Sequence, residues 1–155
     1  RDIPISRELV TPLQEWLMLF DTHQYRRNGD VIPSQLKEMD NHEDAYKRMA
    51  EMPQEGVWRL QEKDYNAFGE ILDEAWQLKR QLSDKVSTPT IDIIYAKAIN
   101  AGAVGGKLLG GGGGGFIIFV VEPGRQESVK LALSDLTHVP FKFEYEGTKV
   151  LYADR

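Results

Sequence analysis

Gly102-Ala103-Val104-Gly105-Gly106-Lys107-Leu108-Leu109, then six glycines from Gly110 to Gly115, then Phe116-Ile117-Ile118-Phe119-Val120-Val121, is the most informative stretch of this chain. Phe116 to Val121 is apolar at every position, which predicts a central strand buried on both faces. The glycines before it carry no side chains over their N–H groups. They permit positive φ and can form a concave nest for an anion. Two plainer readings compete: a flexible linker, and a tight approach of backbone to backbone. A linker usually mixes in serine and joins polar segments. This run instead is expected to connect a helix to a buried strand, where slack would be costly, so the functional reading leads.

Working outward, Thr88-Pro89 reads as a cap followed by proline in the first turn of a helix. Its buried face would be Ile91, Ile94, Tyr95 and Ala98, and Gly102 would end it. An earlier helix runs from about Asp64, a good N-cap, to about Leu82. Its apolar stripe is Phe68, Ile71, Leu72, Ala75, Leu78 and Leu82. At 100° per residue Lys79 falls roughly 20° from Phe68, inside that stripe. A lysine there must snorkel out, pair with a carboxylate, or point into a polar cavity.

Further upstream, Pro33-Ser34 opens a helix carrying Leu36, Met39, Tyr46 and Ala50, which Pro53 should bend or interrupt. Leu13 to Phe20 reads as a strand, with a short buried helix as the alternative. Asn28-Gly29-Asp30 signals a turn. After the Pro123-Gly124 break, Val129, Ala132, Leu133 and Leu136 mark one more helix. Phe141 to Tyr145 alternates as a half-wet strand does, and Glu146-Gly147 would turn into a partner strand from Thr148 to Tyr152. The expected fold is α+β, an antiparallel sheet of about four strands with helices packed on one face, forming one domain over residues 1–155.

Bulk properties narrow the function. A net charge of −5 argues against nucleic-acid or anionic-membrane partners, which need a basic face. Cysteine is absent, so disulfides and thiolate zinc sites are excluded. The apolar run at Phe116–Val121 is far below the ~20 residues that span a bilayer. Cytoplasm is the default location. Arg1 rather than Met at the start marks the chain as an expected piece of a longer protein. His23, His42 and His138 lack metal-ligand spacing. Asp73-Glu74 and Glu43-Asp44 read as solvated helix faces rather than acid/base pairs. Asp92 belongs to a first helical turn, where a carboxylate offsets the dipole.

Two familiar phosphate loops do not fit. A Walker A loop needs glycine five residues before Gly106 and Ser or Thr after Lys107; the chain has Ala101 and Leu108. Six glycines match G-x-G-x-x-G trivially, and a dinucleotide site requires strand, loop, helix in that order. Lys107-Leu108-Leu109 followed by Gly110, Gly111, Gly112, Gly113, Gly114, Gly115 and Phe116 instead resembles the third signature of the GHMP kinases, with Gly111 where alanine is usual. Ala75-Trp76-Gln77-Leu78-Lys79, Ile91-Asp92-Ile93-Ile94-Tyr95 and His138-Val139-Pro140-Phe141-Lys142-Phe143 are similar to the branch acting on D-glycero-D-manno-heptose 7-phosphate. Thr22 to Arg26 resembles a family segment Thr-Gly-x-x-Arg, with His23 in place of the glycine.

This resemblance covers about residues 15 to 153. It implies a ferredoxin-like C-terminal lobe of an ATP- and Mg²⁺-dependent sugar kinase, residues 1–30 including the connection from an N-terminal lobe. That lobe would carry the ATP phosphate loop and the catalytic or metal-binding carboxylate, so no catalytic base and no metal ligand are assigned here, and this chain alone is expected to be inactive. Lys107 and Gly110 to Gly115 would close on the phosphate site. Lys79, with Arg26 as companion, would hold the phosphate already on a sugar substrate. The surface facing the other lobe leaves self-association as a homodimer open. The competing readings are a stand-alone domain that binds an anionic metabolite in the glycine nest, and an interaction domain with an inert loop.

Overall fold

A computed structural model of the chain describes residues 6–25 and 31–146. The elements run α1 (Arg7–Trp16), β1 (Leu17–Asp21), α2 (Val31–Lys37), a 3₁₀ turn (Met39–His42), α3 (Glu43–Gln61), α4 (Tyr65–Gln81) and α5 (Pro89–Asn100). There follow β2 (Ala103–Leu108), β3 (Phe116–Val121), a 3₁₀ turn (Pro123–Arg125), α6 (Gln126–Ala132) and β4 (Thr137–His138). The four strands make one antiparallel sheet in the order β2-β3-β1-β4. With α4–α5 inserted between β1 and β2, and α6 between β3 and β4, this is the ferredoxin-like arrangement. No helix among the described residues is long and apolar enough to cross a membrane.

The main core lies between one face of the sheet and helices α5 and α6. Met18, Phe20, Ile117, Phe119 and Val121 meet Ile91, Ile94, Tyr95, Ala98, Val129 and Leu133 there. Register explains the set, since Met18 pairs with Phe119 and Phe20 with Ile117, so all four point the same way. The expected α5 face is the observed one. Thr88 caps the helix by accepting the Ile91 N–H at 3.2 Å, and Gly102 ends it at φ +113°. A smaller cluster, Leu13, Leu60 and Tyr65 with Trp16, Leu17 and Phe68, joins α1, α3 and α4.

Four expectations change. The run Leu13–Phe20 is divided between the end of α1 and β1, because Leu13 and Trp16 turn towards Leu60 and Tyr65 while Leu17 onward joins the ladder. The helix expected from Pro33 is three pieces, and Pro33 sits in the first turn of α2, where its missing donor costs nothing. Pro53 does not interrupt α3. Met52, Gly56 and Leu60 are buried around it, and Arg48 grips Glu55 and Glu74 of α4 with paired guanidinium bonds across the break in the helical ladder. Phe141 to Tyr145 forms no ladder. Phe141 and Phe143 are half-buried and stack edge to face at 5.7 Å while Lys142 and Glu144 are exposed, so the alternation records burial without pairing. The hairpin partner Thr148 to Tyr152 lies outside the described residues.

The element missing from the expectation is β2. Its Gly105-Gly106 pair reads as loop, yet both glycines are demanded by packing. A Cβ on Gly105 would stand 2.0 Å from the Gly69 carbonyl oxygen of α4, and one on Gly106 would stand 2.4 Å from the Ile118 oxygen. Helix backbone therefore lies directly on strand backbone. An irregularity between Ala103 and Gly105 adjusts the register to that contact. The outer edge of β2 is closed by Tyr95, whose hydroxyl accepts the Gly106 N–H at 3.1 Å and donates to Asp73 Oδ1 at 2.5 Å. Burial, and then the Asp73 carboxylate, push this hydroxyl's pKa well above the ordinary phenol range.

Gly105→Ala should destabilise the protein by roughly 3 kcal/mol in urea denaturation, as overpacking against an immobile backbone does. Gly124→Ala, with nothing within 4 Å of its Cβ, is the neutral control. Equal midpoints for the two variants would refute the contact. Tyr95→Phe strands the Gly106 N–H and should cost roughly 1–3 kcal/mol, read as a lower denaturation midpoint at unchanged slope.

Candidate functional site

The six glycines form the connection between β2 and β3, so the order is strand, loop, strand rather than helix, loop, strand. Lys107 belongs to β2 and not to the loop. The neck is closed by the Leu109 N–H on the Phe116 carbonyl at 2.8 Å. Gly110, Gly112, Gly113, Gly114 and Gly115 all sit at positive φ. Gly111 is the exception, which gives a physical reason why alanine can stand there and in few other places on the run.

Neighbouring segments hold the loop. The Gly113 N–H donates to Val86 O at 2.9 Å, and the Gly115 N–H donates to Gln24 O at 2.7 Å. Thr22 donates twice to Gly115 O, from its N–H at 2.9 Å and from its hydroxyl at 2.5 Å. A Cβ on Gly112 would meet Val86 O at 2.9 Å, and one on Gly114 would meet Gln24 O at 2.0 Å. Gly110 and Gly115 face open space. The N–H groups of Gly110, Gly111, Gly112 and Gly114 make no hydrogen bond among the described residues.

Lys79 reaches this loop, its ammonium donating to the Gly110 carbonyl at 2.9 Å. Burial, and then the neighbouring Lys107 charge, hold its pKa below the ordinary lysine range. Lys107 lines an apolar cavity of about 440 Å³ between α1, α3 and α4. Phe68, Ile71, Leu72 and Ala75 of the expected α4 stripe line the same cavity and Leu78 and Leu82 do not, while Tyr65, Gly69 and Trp76 are that helix's buried residues. Neither Lys79 nor Lys107 forms an ion pair among the described residues. Lys79 thus stands at a loop whose N–H donors are partly unused among the described residues, with the Lys107 charge near enough to act on it, an arrangement suited to an anion with several oxygens.

The remaining candidates separate cleanly. Arg26 lies outside the described residues. Asp92 accepts from Ser87 at 2.6 Å and pairs with Arg80 at 3.1 Å in the first turn of α5, a structural role. Asp73 and Glu74 are not a solvated face: Asp73 binds Tyr95 and Gln77, and Glu74 binds Arg48. Glu43 is exposed and pairs with Lys47. His138 is exposed on the edge strand, its pKa lowered by partial burial and then by Lys130. His23 adopts φ +54°, which accounts for glycine in the similar family segment. Thr22 and Gln24 lie in the segment Thr22 to Arg26 noted for its resemblance, but their bonds to the glycine loop were not foreseen, and Val86 escaped the sequence reading altogether.

Comparison with known proteins bears on the fold and family. Residues 57–137, just over half of the chain, match the family model described as GHMP kinases C terminal. The D-glycero-alpha-D-manno-heptose 7-phosphate kinase of Campylobacter jejuni is 35% identical over 94% of this chain and 44% of its own length. A D-glycero-D-manno-heptose 1-phosphate kinase from Bacteroides thetaiotaomicron is similar in structure, with TM-score 0.56 and 25% identity over 89% of this chain and 35% of that one. The mevalonate kinase of Methanococcus jannaschii shares the fold at TM-score 0.70, with 22% identity over 88% of this chain and 42% of its own. The chain spans less than half the length of the curated relative it matches. It belongs to the GHMP kinases C-terminal family.

Proposed function

We propose that this chain is the C-terminal lobe of an ATP-dependent sugar kinase. Its acceptor would be a heptose 7-phosphate, phosphorylated at the anomeric hydroxyl. The observation that carries the reading is a run of glycine N–H groups with no acceptor among the described residues beside Lys79, which, like the nearby Lys107, has no carboxylate partner among those residues. Similarity to a heptose 7-phosphate kinase supports the substrate class. Phosphoryl transfer depends mostly on positioning and on stabilising charge over the phosphoryl oxygens, which oriented amides and ammonium groups do.

ATP supplies the phosphoryl group in this scheme. Gly110 to Gly112 and Gly114 would present donors to its phosphates, while Lys79 would hold the phosphate that the sugar already carries. No group of three or more Asp, Glu or His suited to a metal ion occurs among the described residues. Mg²⁺ and the catalytic carboxylate would then be held by the N-terminal part of the whole kinase, and no step is assigned to them here.

Lys79→Met keeps the stem and removes the charge. In the full-length kinase it should raise KM for the phosphorylated sugar at least tenfold and leave KM for ATP within twofold. Because burial and Lys107 disfavour the charged form in the folded state, the variant should unfold no earlier than the parent. Equal effects on both substrates, or none, would remove Lys79 from the site.

The loop itself is tested by a pair of neighbours. Gly110→Ala pays a left-handed backbone cost of about 1 kcal/mol and projects a methyl into open space, where the phosphate is placed. It should lower kcat/KM at least tenfold. Gly111→Ala, at the position without positive φ, should stay within threefold. Matching kinetics in the two variants would reduce the run to a connector.

A further inference from the structure

We propose that Thr22 is a positioning residue that sets the shape of the glycine loop from outside, and that the turn Asp21–Tyr25 is a clamp built for that purpose. Five positive-φ glycines in six positions have almost no stiffness of their own, so the loop's working shape must be imposed by its neighbours. Thr22 is among the few polar side chains that are buried, with 1% of its surface exposed. Its main-chain N–H already continues the β1–β3 ladder to Gly115 O. The hydroxyl donates to that same oxygen, so both acceptor directions of one carbonyl are taken and the Gly115 peptide plane cannot rotate freely. The Gln24 N–H in turn donates to the Thr22 hydroxyl at 3.3 Å, and Gln24 O receives the Gly115 N–H. Strand end and loop end are tied in both directions.

The clamp is braced in its own right. His23 is held at φ +54°, with its N–H on Asp21 Oδ1 at 2.9 Å and its ring Nε2 3.0 Å from the Thr137 hydroxyl of β4. Tyr25 donates to Asp21 Oδ2 at 2.5 Å. The Tyr25 bond first, then the His23 N–H, holds the Asp21 carboxyl below the ordinary range, so the brace is ionised at neutral pH. Valine would fill the Thr22 cavity equally well and leave the ladder bond intact. Valine also leaves the Gln24 N–H without its acceptor, a modest stability loss, while the hydroxyl's distinct contribution is the orientation of Gly115.

The inference rests on the phosphate reading of the loop, and its test separates the two. In the full-length protein, Thr22→Val, Thr22→Ser and the parent are compared by amide hydrogen exchange over residues 109–116. Turnover is measured with ATP and D-glycero-D-manno-heptose 7-phosphate. Thr22→Val should keep the melting temperature within a few degrees, speed exchange of the hydrogen-bonded Gly113 and Gly115 amides at least tenfold, and lower kcat at least tenfold with KM for the sugar phosphate within twofold. Thr22→Ser should restore both. Unchanged exchange in Thr22→Val overturns the clamp, whatever reaction the protein performs. Faster exchange with unchanged kcat overturns the positioning role, and because Lys79→Met reads the phosphate site by a substrate-specific KM, that failure is distinguishable from failure of the functional reading. Where valine lowers the melting temperature markedly, Thr22→Ala replaces it in the same comparison against serine.

Discussion

The contact of α4 with β2 at Gly69 and Gly105 is the constraint on which the site depends. A Cβ on either residue would collide with the other element, so helix and strand touch through their main chains. From that anchor the two elements run side by side. Ten helical residues from Gly69 to Lys79 advance about 15 Å. Five extended residues from Gly105 to Gly110 advance about 17 Å. The matching lengths bring the Lys79 ammonium to the Gly110 carbonyl. On the way, Asp73 is delivered to the Tyr95 hydroxyl, which in turn satisfies Gly106. A single close approach thus sets the edge of the sheet and the cationic side of the loop together.

Charge follows the same geometry. Several cations are paired with carboxylates: Arg48 with Glu55 and Glu74, Arg80 with Asp92, Lys130 with Glu127. Lys79 has no such partner among the described residues, and burial first, then the Lys107 charge, hold its pKa below the ordinary lysine range. On the proposed reading, a phosphate would relieve the burial of that charge and take up the glycine N–H donors left without acceptors among the described residues.

Where periodicity was strong, the elements were legible. The face of α5, the Asp64 and Thr88 caps, the buried β3 strand and the position of Lys79 all follow from spacing and capping chemistry. What stayed hidden were features decided by partners distant in sequence. Gly105-Gly106 carries loop composition, and only the backbone of α4 makes a strand of it. Pro53 breaks local rules, and the packing of Met52, Gly56 and Leu60 overrides them. Phe141 and Phe143 alternate without pairing, because burial pattern and hydrogen-bonded ladder are separate requirements. The glycine run was recognisable as a loop, but its clamps, Thr22, Gln24 and Val86, are carbonyls and a hydroxyl whose meaning depends on where the chain folds back.

The hydroxyl of Tyr95 on Gly106 has a bearing on assembly. An edge strand with unpaired N–H and C=O groups invites another strand to add, and natural sheets guard against it with bulges, charges or covering elements. Here one phenol occupies the outward N–H of β2 at mid-strand, while α4 packs over the strand at Gly105. A strand adding at this edge would have to displace the phenol from the Gly106 N–H before it could extend the hydrogen-bonded ladder.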